Sequence, residues 1–251
     1  MPKKSRTPPP PRRPVQAPQR RVQKHERPDA DRRKRLLLLL FAAAGVVVLA
    51  AVVVVIAVVG GSSGSSGTSE ADVAAAMQAA GCTFKTVKSP PHSPTHGDVP
   101  TLTSKVHWNT FPPSNGMHYG LWAVWGFYTE PVNPRNVVHN QEHGGIVLWW
   151  GPQTPQSEID QLHSFYESSP NSMFGTPITS FNGQTLGSKV AITAWTGDPT
   201  KYFKNGYYGF GHVAVCPKFD EKAFKTFRDA YRGHGPEGIP ASLNNPGEGP
   251  Q

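Results

Sequence analysis

The sequence predicts an α+β fold: a single extracytoplasmic domain of mixed sheet and helix, behind one transmembrane helix and a disordered N-terminal tail. Three observations carry this. Residues 36 to 59 run for 24 positions without a charged or strongly polar side chain. From 69 to 235, short apolar stretches rich in β-branched and aromatic residues alternate unevenly with amphipathic helical ones. Two cysteines, Cys82 and Cys216, bracket most of that region.

The formal charge of +8 is unevenly spread. Residues 1 to 35 hold 13 Lys and Arg against 3 acids, which leaves 12 basic and 14 acidic residues for the other 216. The region expected to fold is therefore close to neutral, and no nucleic-acid partner is expected for it. A tail reading MPKKSRTPPPPRRPVQAPQRR has too little apolar surface to fold. At the helical rise, the apolar run would extend about 36 Å, enough to cross a hydrocarbon core of ~30 Å with some tilt. A cleaved signal segment or a buried core helix is the alternative, but signal h-regions are shorter. Arg32, Arg33, Lys34 and Arg35 abut the run on one side, and GGSSGSSGT follows on the other. The positive-inside rule then places the N-terminus in the cytoplasm and residues 60 to 251 outside the cell membrane, single-pass, with the lipid bilayer as a partner. Residues 60 to 68 form a flexible linker.

That location bears on the cysteines. Two cysteines in one domain in an oxidising compartment usually pair, so Cys82 and Cys216 are expected to form a disulfide. Free thiols or thiolate ligands are the alternative.

Along the chain, Ser69 is placed to cap an Ala-rich helix that Gly81 ends. The turn formers of SPPHSPTHGDVPTLTS predict irregular structure, with His92 and His96 as solvated loop residues. Val106 to Trp108 and Leu121 to Tyr128 read as strands, joined through Pro112, Pro113, Ser114, Asn115 and Gly116. Ile146 to Trp150 is a strand buried on both faces. Thr154 and Pro155 open a helix with Ile159, Leu162, Phe165 and Tyr166 on one side, which leaves His163 at the helix surface or the edge of the core, not as a ligand. Lys189 to Trp195 alternates as a strand. Asp220 caps a helix whose stripe is Phe224, Phe227 and Tyr231, and Gly233 stops it. Residues 236 to 251 are expected to stay loose.

The segment His139-Asn-Gln-Glu-His143 spells H-x-x-E-H. Neutral imidazole is the commonest metal-ligating side chain, and positions i and i+4 share a helix face. The same order of residues serves inverted zinc peptidases, but those need a sustained helix, and Gly144-Gly145 cuts this one short. A looser set fits better: His118, His139 and His143, completed by His107 or His212, holding Zn or Cu(II). Glu142 is the candidate to orient an imidazole or to act as a base. Against this stands a bland reading, in which the histidines bond backbone groups and Glu142 pairs with Arg135 or a histidine. No G-x-S-x-G, Walker or dinucleotide fingerprint occurs. The Trp residues at 108, 122, 125, 149, 150 and 195 suit a core, or an aromatic surface for an envelope protein or cell-wall polymer.

PPSNGMHY, HNQEHGG, AITAW and YRGHGPE, in that order after AAGC, resemble a family of membrane-anchored bacterial proteins, common in actinobacteria, of unknown function. The likeness spans residues 76 to 237 and implies a common fold and a shared histidine site, with PPxxGxH and HxxEHG as its motifs. His139, Glu142, His143 and Gly144 match position by position. Ser114 to His118 departs from the Ser-Gly-Pro-His of the family, so the turn ahead of His118 differs.

Topology is the first expectation to check. A periplasm-active reporter fused after Arg20 should be silent and one fused after Thr200 active; the reverse pattern would place the domain in the cytoplasm and remove the compartment argument for the cysteines.

Overall fold

The Ser69 hydroxyl accepts the Asp72 N–H at 3.2 Å while the Asp72 carboxylate accepts the Ser69 N–H at 3.0 Å, a capping box that starts helix α1 (Glu70–Ala79). Gly81, at φ +74°, then turns the chain into strand β1 (Thr83–Lys88). The computed structural model describes residues 68–90, 106–202 and 204–250, within the unit Ser62–Gln251. The expected cytoplasmic tail, the 36–59 span, nearly all of the linker, and His92 and His96 lie outside the described residues. Among the described residues no helix is long and apolar enough to cross a membrane.

After β1 come α2 (Pro134–Glu142), β2 (Ile146–Trp150), α3 (Gln156–Glu167), β3 (Met173–Pro177), β4 (Val190–Thr196), β5 (Phe210–Cys216) and α4 (Glu221–Tyr231). Together they make the α+β domain expected. The five strands lie in the order β1-β5-β4-β2-β3. All neighbours are antiparallel except β2 and β3, whose parallel pairing needs the crossover that α3 supplies.

Strand alternation sorts the core into two sides. Ile146, Leu148 and Trp150 of β2 face Val73 and Met77 of α1, Leu162 and Phe165 of α3, and Phe224 and Phe227 of α4. Val147 and Trp149 point to the opposite face and pack with Val137 of α2, Trp125 and Phe174. Both faces are covered, which explains why all five residues of β2 are buried. A disulfide joins Cys82 to Cys216, at a sequence separation of 134. In the chain-entropy description, closing so long a loop contributes about 4 to 5 kcal/mol.

Several sequence expectations are corrected. Val106 to Trp108 and Leu121 to Tyr128 are not strands; only Phe127 makes an isolated bridge, to Gly175. Their β-forming composition serves packing instead: the backbone is bonded piecemeal, at Leu121 and Ala123 by α2 side chains, at Trp125 by the backbone of Gly247 and Glu248, and at Val106 by the Asn182 amide, with no extended ladder. Strands β3 and β5 do not stand out in the sequence. Gly175 and Gly211 interrupt their patterns, each because a neighbour sits where a Cβ would be. Thr154 does not cap α3: its hydroxyl donates to the Lys189 carbonyl, and Pro155 occupies the N-cap. Residues 236 to 250 are not loose. They include a 3-10 turn at Ala241–Leu243 and bond Trp125 through its N–H to the Glu248 carbonyl and its carbonyl to the Gly247 N–H, each at 2.8 Å.

His212 sits in β5 with Nδ1 3.0 Å from the Thr86 hydroxyl and Nε2 2.7 Å from the Thr196 hydroxyl, stacked on Tyr231 with ring centroids 3.9 Å apart. Burial pulls its pKa down to about 4. The unfolded chain protonates this imidazole below about pH 6.5 while the native state does not, so the contribution is whole above that pH and lost as pH falls to about 4. The expected loss is about 3 kcal/mol, measured by urea denaturation at a series of pH values. His212→Gln should remove that part of the pH dependence; an unchanged profile would contradict the assignment.

Candidate metal centre

Helix α2 begins where Asn133 accepts the Arg135 N–H at 3.0 Å, with Pro134 at the first helical position. Its apolar residues, Val137 and Val138, face the sheet, yet Asn140 and Gln141 are also fully buried. These polar side chains bond the irregular segment laid across the helix. Asn140 pairs with both the N–H and the carbonyl of Ala123 at 2.9 Å, Asn136 donates to the Leu121 carbonyl at 2.6 Å, and Gln141 donates to the Pro113 carbonyl at 3.1 Å. They stand in for the sheet partners that the segment lacks.

The histidines are oriented by the same segment. His118 Nδ1 donates to the Gly116 carbonyl and His139 Nδ1 to the Tyr119 carbonyl, both at 2.7 Å. A carbonyl only accepts, so each Nδ1 carries a proton and each neutral ring presents its lone pair at Nε2. Those Nε2 atoms converge. His118 Nε2 lies 2.9 Å from Glu142 Oε2, His139 Nε2 lies 3.9 Å from the same oxygen and 3.0 Å from His143 Nε2, and His143 Nε2 lies 3.1 Å from Glu237 Oε2. Two groups result among the described residues, His118/His139/Glu142 and His139/His143/Glu237, with the donor atoms of each within 4.8 Å of one another.

Burial, with the charges of His118 and His143 added to it, pulls His139 down to about 3, so it is neutral and able to ligate near neutral pH. Burial also acts to lower His118, but the hydrogen bond and charge of Glu142 outweigh it and raise the pKa. The short gap between these two groups is thus a place for a proton or a cation. Tyr202 donates to the other Glu142 oxygen at 2.5 Å. Burial and the adjacent carboxylate push its phenol far above the ordinary value, so it remains a donor. Trp122 lies over His143 and His139, with centroids 4.8 and 5.5 Å away, and Trp195 meets His118 edge-on.

Glycines permit two close approaches. A Cβ at Gly211 would fall 2.3 Å from both the Ser114 hydroxyl and the Asn115 amide, so β5 leaves room for the turn that leads to Gly116 and His118. At the C-terminal end of α2, Gly144 adopts φ +85° and its carbonyl accepts the Gly233 N–H at 2.9 Å. A Cβ at Gly235 would sit 2.2 Å from the Gly144 nitrogen and 2.4 Å from the Glu142 carbonyl. The HGG and RGHGPE segments therefore touch backbone to backbone, which brings Glu237 to His143.

The structure brings together His118, His139, His143 and Glu142. It does not bring in His107, which is exposed, or His212, which is held between two threonines. The disulfide removes Cys82 and Cys216 as thiolate ligands. The alternative partner of Glu142, Arg135, instead bonds the Tyr119 hydroxyl at 3.0 Å. Sequence reasoning missed Glu237, Tyr202 and Trp122. Glu237 ends the quoted YRGHGPE but adjoins a segment expected to be loose, and no local pattern marks Tyr202 or Trp122 as neighbours of the histidines.

Fold and site define an α+β domain with a buried histidine and glutamate cluster on the sheet face opposite its three packed helices. The chain belongs to the DUF3105 family, described as a protein of unknown function, which it matches over residues 101–242. That span contains all of His118, His139, Glu142, His143, Tyr202 and Glu237, and begins after Cys82. No curated protein and no solved structure matches the chain.

Gly235→Ala tests the close approach. It is expected to destabilise the domain by about 1 to 3 kcal/mol in urea denaturation, as overpacking against a fixed backbone does. A change within experimental error would mean that the two segments separate at no cost.

Proposed function

We propose that this domain binds one divalent transition-metal ion, Zn(II) or Cu(II), on His139, with either His118 and Glu142 or His143 and Glu237 completing the ligand set. We also place it outside the cytoplasmic membrane, tethered by residues 36 to 59. The observation that carries the metal reading is the convergence of imidazole Nε2 and carboxylate oxygen atoms in two groups that share His139, with His118 and His139 aimed by Nδ1–H bonds to backbone carbonyls. Such bonds fix tautomer and ring direction around bound metals. The donors are nitrogen and oxygen only, which suits Zn(II) and Cu(II). His139 has a single nitrogen to offer, because the other is committed to Tyr119, so the two groups that share it take one ion between them. Glu142 is engaged at both oxygens, by Tyr202 and by His118, which favours a ligating or orienting carboxylate over a general base. Support for the outer location is the apolar run with its one-sided basic flank, together with a disulfide of the kind oxidising compartments sustain.

One observation favours a second reading, an interaction module for an envelope protein or cell-wall polymer. Leu121 and Val124, on the segment carrying Trp122, are exposed, as is Leu243 in the groove beside it. The aromatic surface itself is small: Trp125, Trp149, Trp150 and Trp195 are buried in the core.

Elemental analysis of the full-length protein, purified without a His-tag in chelator-free detergent buffer, should find one equivalent of Zn or Cu. His139→Ala should abolish it with the circular dichroism spectrum retained, and Glu142→Gln should weaken it by about 10 to 100-fold. Wild-type protein that takes up neither metal would refute the reading.

A further inference from the structure

From solvent inward the donor atoms form a ladder: Glu237 Oε2 to His143 Nε2 at 3.1 Å, His143 to His139 Nε2 at 3.0 Å, His139 to Glu142 Oε2 at 3.9 Å, and Glu142 to His118 Nε2 at 2.9 Å. Side-chain exposure falls from 25% at Glu237 to 8% at His143, 2% at His139 and 1% at Glu142, and is 5% at His118 beyond it. The ladder is the two candidate groups end to end, with His139 common to both.

Resting on the metal reading above, we infer that the ion has two positions: an outer one on Glu237, His143 and His139, where it is taken up, and an inner one on His139, Glu142 and His118, where it rests. The positions exclude each other, because both need the single Nε2 lone pair of His139. That shared ligand is also what makes transfer feasible. An ion moving inward exchanges Glu237 and His143 for Glu142 and His118 while His139 stays bound, so it never crosses the buried region without a protein ligand. Glu237 suits the outer task. It is the most exposed member of the set, its carboxylate draws a cation and replaces part of its hydration, and its N–H bond to the Glu142 carbonyl is long, at 3.5 Å. Glu142 suits the inner one, since Tyr202 holds its second oxygen and fixes its direction.

The two carboxylates should therefore differ in kind of effect. With full-length protein in detergent, Zn(II) uptake is followed by stopped flow and release by transfer to an excess of a chromogenic chelator. Glu237→Gln should slow uptake and release alike, each by about tenfold, because the outer position lies on both paths, and should leave the equilibrium affinity within about threefold. Glu142→Gln should leave uptake near wild type and speed release, weakening affinity by about 10 to 100-fold. Glu237→Asp, which keeps the charge, should recover part of the lost rate. If Glu237→Gln leaves both rates unchanged, or weakens affinity as much as Glu142→Gln through release alone, the outer position is excluded while the metal reading stands. Two Zn(II) per chain would overturn the mutual exclusion. Wild-type protein that takes up no ion removes the metal reading itself.

Discussion

The structure turns on the hydrogen bonds between the side chains of α2 and the backbone of the segment laid over it. Residues 113 to 124 form no strand or helix, yet much of this stretch is covered, and each buried backbone group left unpaired would cost roughly 1 to 3 kcal/mol. Asn140 and Gln141 remove that cost at Ala123 and Pro113, and Asn136 adds an exposed bond to Leu121. With the segment held, the Gly116 and Tyr119 carbonyls stand where His118 and His139 need acceptors. One short helix thus serves three ends: its apolar side seals the sheet, its amides hold the segment, and its last turn supplies two donors of the cluster.

Charge accounts for the rest of the centre. Glu142 has almost no contact with water, and an isolated carboxylate there would be far too costly to stay ionised. It is offset on one oxygen by the Tyr202 hydroxyl and on the other by His118, whose pKa rises in consequence. His139, buried and beside two other imidazoles, goes the opposite way and sheds its proton readily. A buried cluster in which Glu142 lies between His118 and His139 while Glu237 meets His143 is electrostatically incomplete without protons or a cation.

What was legible in the sequence follows from the range of the interactions involved. Ser69, Gly81, Asp220 and the stripe Phe224, Phe227, Tyr231 act within one helix, and each does in the structure what its local chemistry suggests. His118, His139 and His143 could be picked out because residue type and spacing suffice to nominate ligands. Other features depend on contacts across long stretches of chain. The stretch from Val106 to Tyr128 carries strong β-formers, but its backbone is paired by groups elsewhere in the chain, among them the amides of Asn136, Asn140 and Gln141 on α2, that of Asn182, and the backbone of Gly247 and Glu248. Strands β3 and β5 are obscured by glycines whose purpose is visible only beside Phe127 and Asn115. Tyr202 reaches Glu142 from 60 residues further along the chain, and Glu237 reaches His143 from further still. Nothing near the H-x-x-E-H motif announces either of them.

The Cys82–Cys216 bridge also sets how the domain would carry load. Tension arriving through the N-terminal side meets α1 first, and α1 can peel away turn by turn up to Cys82. There the pull passes through a covalent bond into β5, which lies inside the sheet between β1 and β4. Strand β1, an edge strand that could otherwise unzip from β5 one hydrogen bond at a time, is stapled at the end where tension arrives. Under the tethering proposed above, His118, His139, Glu142 and His143 lie within the loop that this bond closes and Glu237 lies beyond it, so a pull from the N-terminal side meets the covalent link before it meets any of them.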